Sequence, residues 1–333
     1  MQPTGMIERA TRWLSEHATR TPGSILLGRI RQSVAERTLA RYSAEAERFW
    51  PGLADGAPEA RAGLADVAER ALSTMRSEVD LEASHSGPLQ AWAALMDARW
   101  RETHEGEYLD DPSVDHDRRV RILEHLDAMN DLLDTYRGFF EWLEPMLRGG
   151  QRTRLLELAA GHGGFALALA RRAQDEGRDL DLLASDIKQE YLDLGAARAR
   201  AEDLDVRFGL QDALDLGNLE PGSYDILMCM QSLHHFPAGE VVVMFTEAAR
   251  VAARGVLFFD GTRSTLAALG LGGLGLFRYR DRDFVHDAMV SFRRFFVAEE
   301  LELLARLSPW GARARAQWIA PGHCVLALAK QDT

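Results

Sequence analysis

The segment Leu155-Leu-Glu-Leu-Ala-Ala-Gly-His-Gly-Gly164 runs an apolar strand into a cluster of small residues and re-emerges as the helical stretch Phe165 to Ala170. Small residues at a strand-to-helix turn leave backbone N–H groups free, so a nucleotide-like ligand can lie against the main chain. A dinucleotide site would need G-x-G-x-x-G to seat a pyrophosphate on the helix. This chain instead reads Glu157-x-Ala159-x-Gly161-x-Gly163, with an acid inside the strand end. Nothing in that pattern is built to hold a pyrophosphate. A second apolar run, Asp181-Leu-Leu-Ala-Ser-Asp186, ends in a carboxylate where the next parallel strand would end. There Asp186 can accept from a ribose diol; alternatively it caps the helix that starts near Lys188.

Histidines offer a second chemistry. His234 and His235 follow the apolar strand that begins after Asp225. An imidazole with a pKa of about 6.5 can take a phenolic proton, directly or through water. His234 is the expected base, while His235 packs or bonds to backbone. Further on, His286-Asp287 sets an acid beside an imidazole, and Arg293 or Arg294 can clamp a carboxylate. The competing reading of that stretch is a solvated charged loop. The remaining histidines are scattered without ligand spacing, so no metal is expected. Cys229 and Cys324 are the only cysteines, which excludes a disulfide framework and fits a reducing compartment.

Taken in order, the Glu157-to-Gly163 turn, Asp186, Val206-Arg-Phe-Gly-Leu-Gln-Asp212-Ala213, Tyr224-Asp225 with Leu233-His234-His235, and Gly255-Val-Leu-Phe-Phe-Asp260-Gly261 resemble the successive motifs of class I S-adenosylmethionine (SAM)-dependent methyltransferases. Ala159 stands where that family usually has its first glycine, and its methyl is tolerable if φ there is negative. The resemblance implies an α/β fold, a Rossmann-like seven-stranded sheet, with SAM as cofactor and S-adenosylhomocysteine as product. It implies cofactor contacts from Glu157, Ala159, Gly161 and Gly163 in the turn, from Asp186 at the ribose, from Asp212 and Ala213 at the adenine, and from Ile187, Gln211 and Gln231.

Two other stretches, Tyr108 to Asn130 and His286 to Arg294, resemble the quinone- and polyketide-type small-molecule methyltransferases of bacterial secondary metabolism. That resemblance implies methyl transfer to a small, largely apolar acceptor, with O-methylation the first expectation. N- or C-methylation, or a SAM-binding scaffold without turnover, are the alternatives. His234, His286 and Asp287 are the candidate catalytic residues. Arg278, Arg293, His235 and Tyr136 are the candidate acceptor contacts.

These residues need elements to position them. Apolar residues at three- and four-residue spacing predict helices over 7–19, 25–49, 58–75, 89–101 and 118–147. With the glycine-rich boundary that follows, they divide the chain into a helical cap or dimerisation domain (1–148) and a catalytic domain (149–333). At 333 residues and 46% hydrophobic the chain can bury both. The net charge of −12 argues against nucleic acid or an anionic membrane as partner. The expected partner is a small molecule, with a homodimer through the N-terminal helices. The N-terminal residues carry no secretory pattern, so the cytoplasm is the expected location. The stretch 264–277 is strongly apolar but holds four glycines (Gly270, Gly272, Gly273 and Gly275). It is too short to span a bilayer, and the glycines predict a mobile lid over the acceptor rather than a rigid helix. A dimer contact or a packed loop is the alternative.

Overall fold

The computed structural model describes residues 22–54, 56–101, 103, 105–147, 151–309, 314–319 and 322–329. The helix expected over residues 7–19 and the glycine boundary at 148–150 lie outside them. The chain opens with α1 (Pro22–Glu47), α2 (Trp50–Ala54), α3 (Pro58–Ser86), α4 (Pro88–Arg101), α5 (His116–Leu132) and α6 (Thr135–Leu143). The turn between α3 and α4 uses Gly87 at φ 143°, which suits only glycine. The long helix expected over 118–147 is two helices. The Leu133 N–H bonds back to the Met129 carbonyl and Asp134 turns left-handed at φ 51°. That break lets Phe139 and Leu143 sink beneath the sheet while α5 stays against the helices that follow it.

The rest is an α/β layer: β1 (Thr153–Leu158), α7 (Gly164–Glu176), β2 (Leu180–Asp186), α8 (Gln189–Ala201), β3 (Arg207–Leu210), β4 (Tyr224–Met230), α9 (Ala238–Val251), β5 (Ala252–Gly261), α10 (Thr265–Tyr279), α11 (Arg282–Arg294), α12 (Ala298–Arg306), β6 (Arg315–Ile319) and β7 (His323–Ala329). The seven strands form one sheet in the order β3-β2-β1-β4-β5-β7-β6, the Rossmann-like arrangement expected. The first five strands are parallel, while β7 runs antiparallel to β5 and to β6. Chain order reverses between β1 and β4, so their carboxyl ends flank a topological switch point, where ligands of open α/β sheets bind.

The stretch 264–277 is not a loop. Ser264 caps α10, with its side chain accepting from the Ala267 N–H. Gly272 and Gly275 are the points where α10 meets α11. A β-carbon would lie 3.1 Å from the Met289 sulfur at Gly272 and 2.9 Å from Phe284 Cε1 at Gly275. The glycines that lower helix propensity thus permit a close helix crossing, and packing outweighs propensity.

One hydrophobic cluster joins Val34, Leu64, Val67 and Met75 of the N-terminal helices to Leu156, Leu227, Phe245, Phe258 and Leu304 of the α/β part. Glu69 of α3 accepts from the Gly239 N–H at the start of α9. A buried charge network reinforces the contact. Arg263 binds Glu300 and Asp97 at 2.9 Å each, Arg76 binds Glu300 at 2.8 Å and Arg31 binds Asp97 at 3.1 Å. No helix among the described residues is long and apolar enough to cross a membrane.

Candidate functional site

Two cavities open at the carboxyl edge of the sheet beside the switch point. The first, about 1220 Å³, has the turn after β1 as its floor. Glu157, one residue before the end of that strand, is buried, and its Oε2 has no hydrogen-bond partner. Burial pushes its carboxyl pKa up to about 8. A buried acid with an unmatched oxygen is a receptor for a cationic group. Asp186 accepts from the Gly161 N–H at 2.8 Å and from the Lys188 N–H at 2.9 Å. Those two bonds leave part of a carboxylate's acceptor capacity for a diol. Gly161 sits at φ 57° with open space where a side chain would be, while a β-carbon on Gly163 would strike Phe208 at 2.6 Å.

A shallow slot beside this turn is lined by Ile187, Leu210, Gln211, Asp212, Asp215 and Asn218. Ile187 and Leu210 are 67% and 61% exposed there, apolar faces that a flat heteroaromatic ring would cover. Asp212 Oδ1 accepts from the Leu214 N–H, and Ala213 is buried. The donor set therefore fits SAM: an acid for its ammonium, a carboxylate for its ribose, and apolar faces for its adenine. Helices α5 and α6 roof the cleft. Asp127 of α5 binds His162 Nε2 at 2.8 Å and Arg198 at 2.6 Å, and Tyr136 of α6 lines the cavity. His162 is accordingly buried against α5 rather than turned to solvent.

Ala159 and Gln231 are the residues that directly follow β1 and β4, and both are left-handed, at φ 50° and 58°. The expectation of a negative φ at Ala159 does not hold. The chain must reverse sharply there for the glycine turn to face the cleft, and Ser232 Oγ donates to the Ala159 carbonyl to hold it so. Strain of this kind concentrates where a ligand must approach the backbone.

The second cavity, about 980 Å³, lies beneath α5, α10 and α11. Leu109, Ile122, Leu126, Met129, Phe284 and Phe292 make its wall largely apolar. The two cavities meet at Asn130 and Gln231, whose side-chain amides bond reciprocally at 3.0 and 3.1 Å. At the polar end stand Glu107, His234, His235, Asp287 and Ser291. His234 Nδ1 lies 2.9 Å from Asp260 Oδ2, and its Nε2 is 3.6 Å from Glu107 Oε1. His235 Nδ1 lies 2.9 Å from Asp110 Oδ2, and its Nε2 is 3.9 Å from Glu107 Oε2. Ser291 Oγ donates to Glu107 Oε1 at 2.9 Å. Burial alone would lower the His234 pKa, but Asp260 on one side and Glu107 on the other outweigh it and push it up to about 10. So placed, His234 carries its own proton at neutral pH and cannot take another while both carboxylates face it.

The other candidates separate. Asp287 reaches the chamber and accepts from the Tyr108 and Leu109 N–H groups at 2.8 and 3.1 Å. His286 bonds to Asp287 and stacks on Tyr108, with ring centroids 4.2 Å apart, outside the chamber lining. Arg293 donates to the Trp100 carbonyl and Arg278 is exposed beside Tyr279, so neither lines the chamber. Glu107, Asp260, Asn130 and His323 received no site role from the sequence, although Asp260 and Asn130 stand in stretches that carried the resemblance. Asp260, an acid at the carboxyl end of an apolar strand, carried a usable signal; Glu107 carried none. His323 opens β7 at the chamber wall. Its Nδ1 is buried without a partner, and burial pushes its pKa down to about 4, so the ring is neutral.

Residues 155–255 match the family model described as a methyltransferase domain. The chain is 30% identical to the 27-O-demethylrifamycin SV methyltransferase of Amycolatopsis mediterranei over 48% of this chain and 51% of that one. It is 32% identical to a ubiquinone/menaquinone biosynthesis C-methyltransferase of Rickettsia prowazekii over 26% of this chain and 34% of that one. The chain thus spans from about a third to half of the length of these curated relatives. Among solved structures, the magnesium protoporphyrin IX methyltransferase of Synechocystis, solved with bound S-adenosylhomocysteine, aligns with a TM-score of 0.41 and 18% identity. That alignment covers 71% of this chain and 95% of that one.

Proposed function

We propose that this protein, whose residues 155–255 form a class I SAM-dependent methyltransferase domain, methylates an oxygen of a small, largely apolar acceptor held in the chamber beneath α5, α10 and α11. The observation that carries this reading is the meeting of the two cavities at the Asn130–Gln231 pair, with the chamber's polar groups gathered at that end. SAM supplies a methyl group already activated on a sulfonium, so the chain's part is alignment, exclusion of water and handling of a hydroxyl proton. The apolar wall orients the acceptor, and the amide pair fixes the passage between donor and acceptor. The hydroxyl proton is given up at the cluster of Glu107, Asp110 and Asp260 around the two imidazoles. A polar cluster of this kind favours an oxygen nucleophile over a carbon one, although one of the relatives is named for C-methylation. The relative named for methylating 27-O-demethylrifamycin SV supports a natural-product acceptor of that kind.

Labelled SAM offered with a panel of hydroxylated aromatic and polyketide acceptors tests the reading. The expected product is a methyl ether, formed roughly 100-fold more slowly by the Glu107→Gln variant with SAM affinity nearly unchanged. Label recovered only on carbon or nitrogen would overturn O-methylation. SAM binding that Asp186→Ala leaves untouched would overturn the assignment of the cleft, because loss of the ribose contact should cost on the order of 2–3 kcal/mol.

A further inference from the structure

We propose that Glu107, His234 and His235 bind one divalent transition-metal ion, which takes an oxygen of the acceptor as a further ligand. The second clause rests on the methyl-transfer reading above; the first rests on the site alone. One carboxylate oxygen and two imidazole nitrogens, all within 4.8 Å of one another, converge here, and no other such group of three occurs among the described residues. Ligands around an ion about 2.1 Å from each sit roughly 3 Å apart. The present 3.6 and 3.9 Å separations from Glu107 to the two Nε2 atoms therefore close with small side-chain shifts.

The surroundings match what a metal site requires beyond its ligands. Each ring has its Nδ1 against a separate carboxylate, Asp260 for His234 and Asp110 for His235. That arrangement turns Nε2 of both rings toward Glu107, and an ion would take the place of the proton that His234 otherwise holds there. Carboxylates behind ligating imidazoles fix the tautomer and raise ligand basicity. Three carboxylates around two imidazoles leave the cluster with surplus negative charge, and Lys188 reaches only Asp110. Glu107, His234 and His235 all line the chamber, so the remaining coordination positions of an ion held by them would face the acceptor. Two histidines and one carboxylate with open positions suit zinc or iron(II) rather than calcium or magnesium. An acceptor that presents a hydroxyl, or two adjacent oxygens, to such an ion gives up its proton to the surrounding carboxylates and through them to solvent. The oxygen is then held at the end of the chamber that borders the cofactor cleft.

Metal-stripped protein, without cofactor or acceptor, is titrated with Co²⁺ and followed by calorimetry and by the visible absorption of the bound ion. A single equivalent is expected to bind. Glu107→Gln and His235→Asn should each weaken that binding by about 100-fold or more, with circular dichroism confirming that both variants fold. His286→Asn, whose ring lies outside the chamber lining, should bind as the parent does. Absence of uptake, or uptake that survives both Glu107→Gln and His235→Asn, overturns the site. Because the titration holds neither SAM nor acceptor, its outcome does not depend on the reaction. Methyl transfer at full rate by the metal-stripped protein would overturn the ion's role toward the acceptor and leave the methyltransferase reading standing.

Discussion

Ala159 keeps a methyl group at a φ that favours none, and the cost should be measurable. Replacing it with glycine removes the left-handed penalty, so Ala159→Gly is expected to stabilise the protein by about 1 kcal/mol in urea unfolding. A neutral or destabilising result would mean that the turn relaxes around the methyl. Glu157 gives a prediction in pH. Its folded pKa of about 8 stands above the ordinary 4.5, so the folded protein binds the proton more tightly than the unfolded chain does. The stability this lends is complete below about pH 4.5 and is lost as pH rises through about 8. Glu157→Gln should therefore match the parent at low pH and exceed it by roughly 2–4 kcal/mol above pH 8, while binding SAM more weakly. Parallel stability curves for the two proteins would refute this. The placing of Glu157, Gly161 and Asp186 around one cleft was legible in the sequence because small residues at a strand-to-helix turn and acids at strand ends form a local pattern. The metal-type cluster was not, because adjacent His234 and His235 show no ligand spacing and Glu107 reaches them only through the fold.

At the scale of elements, α10 shows why propensity alone misled. Its four glycines divide by face: Gly270 and Gly273 look into open space, whereas Gly272 and Gly275 meet α11. Gly270→Ala and Gly273→Ala should each stabilise the protein by up to about 1 kcal/mol, the ordinary helical gain over glycine. Gly275→Ala should forfeit that gain, since its methyl would press on Phe284. Thermal unfolding of the three variants decides the matter, and equal shifts would mean that the helix crossing is not close in solution. Burial partners likewise explain the break in the helix expected over 118–147. Apolar periodicity continues across Leu133 and Asp134, but the two halves serve different partners, α11 on one side and the underside of the sheet on the other. Periodicity reports which residues are buried, not against what.

At the scale of the whole molecule, the buried charges of Arg31, Arg76, Asp97, Arg263 and Glu300 tie α1, α3 and α4 to the end of β5 and to α12. Removing one partner strands the rest without water, so Glu300→Ala is expected to destabilise the protein by about 3 kcal/mol or more, read as a lowered urea midpoint. A loss below about 1 kcal/mol would show that water enters the gap. The seven-stranded sheet was expected from the resemblance of five successive segments to methyltransferase motifs, and the helical lead-in from its apolar periodicity, both of which are local patterns. Neither could anticipate this network, whose members are far apart in the chain and individually look like surface charges. The chamber is assembled in the same scattered way. Among its described lining residues only Gln231, His234 and His235 fall within the methyltransferase stretch 155–255; the rest come from the helices before it and from the segments after it. On the methyl-transfer reading proposed above, the donor cleft and the choice of acceptor are thus encoded in different parts of one gene. Exchange of the flanking parts alone would then change the acceptor and leave the reaction as it is.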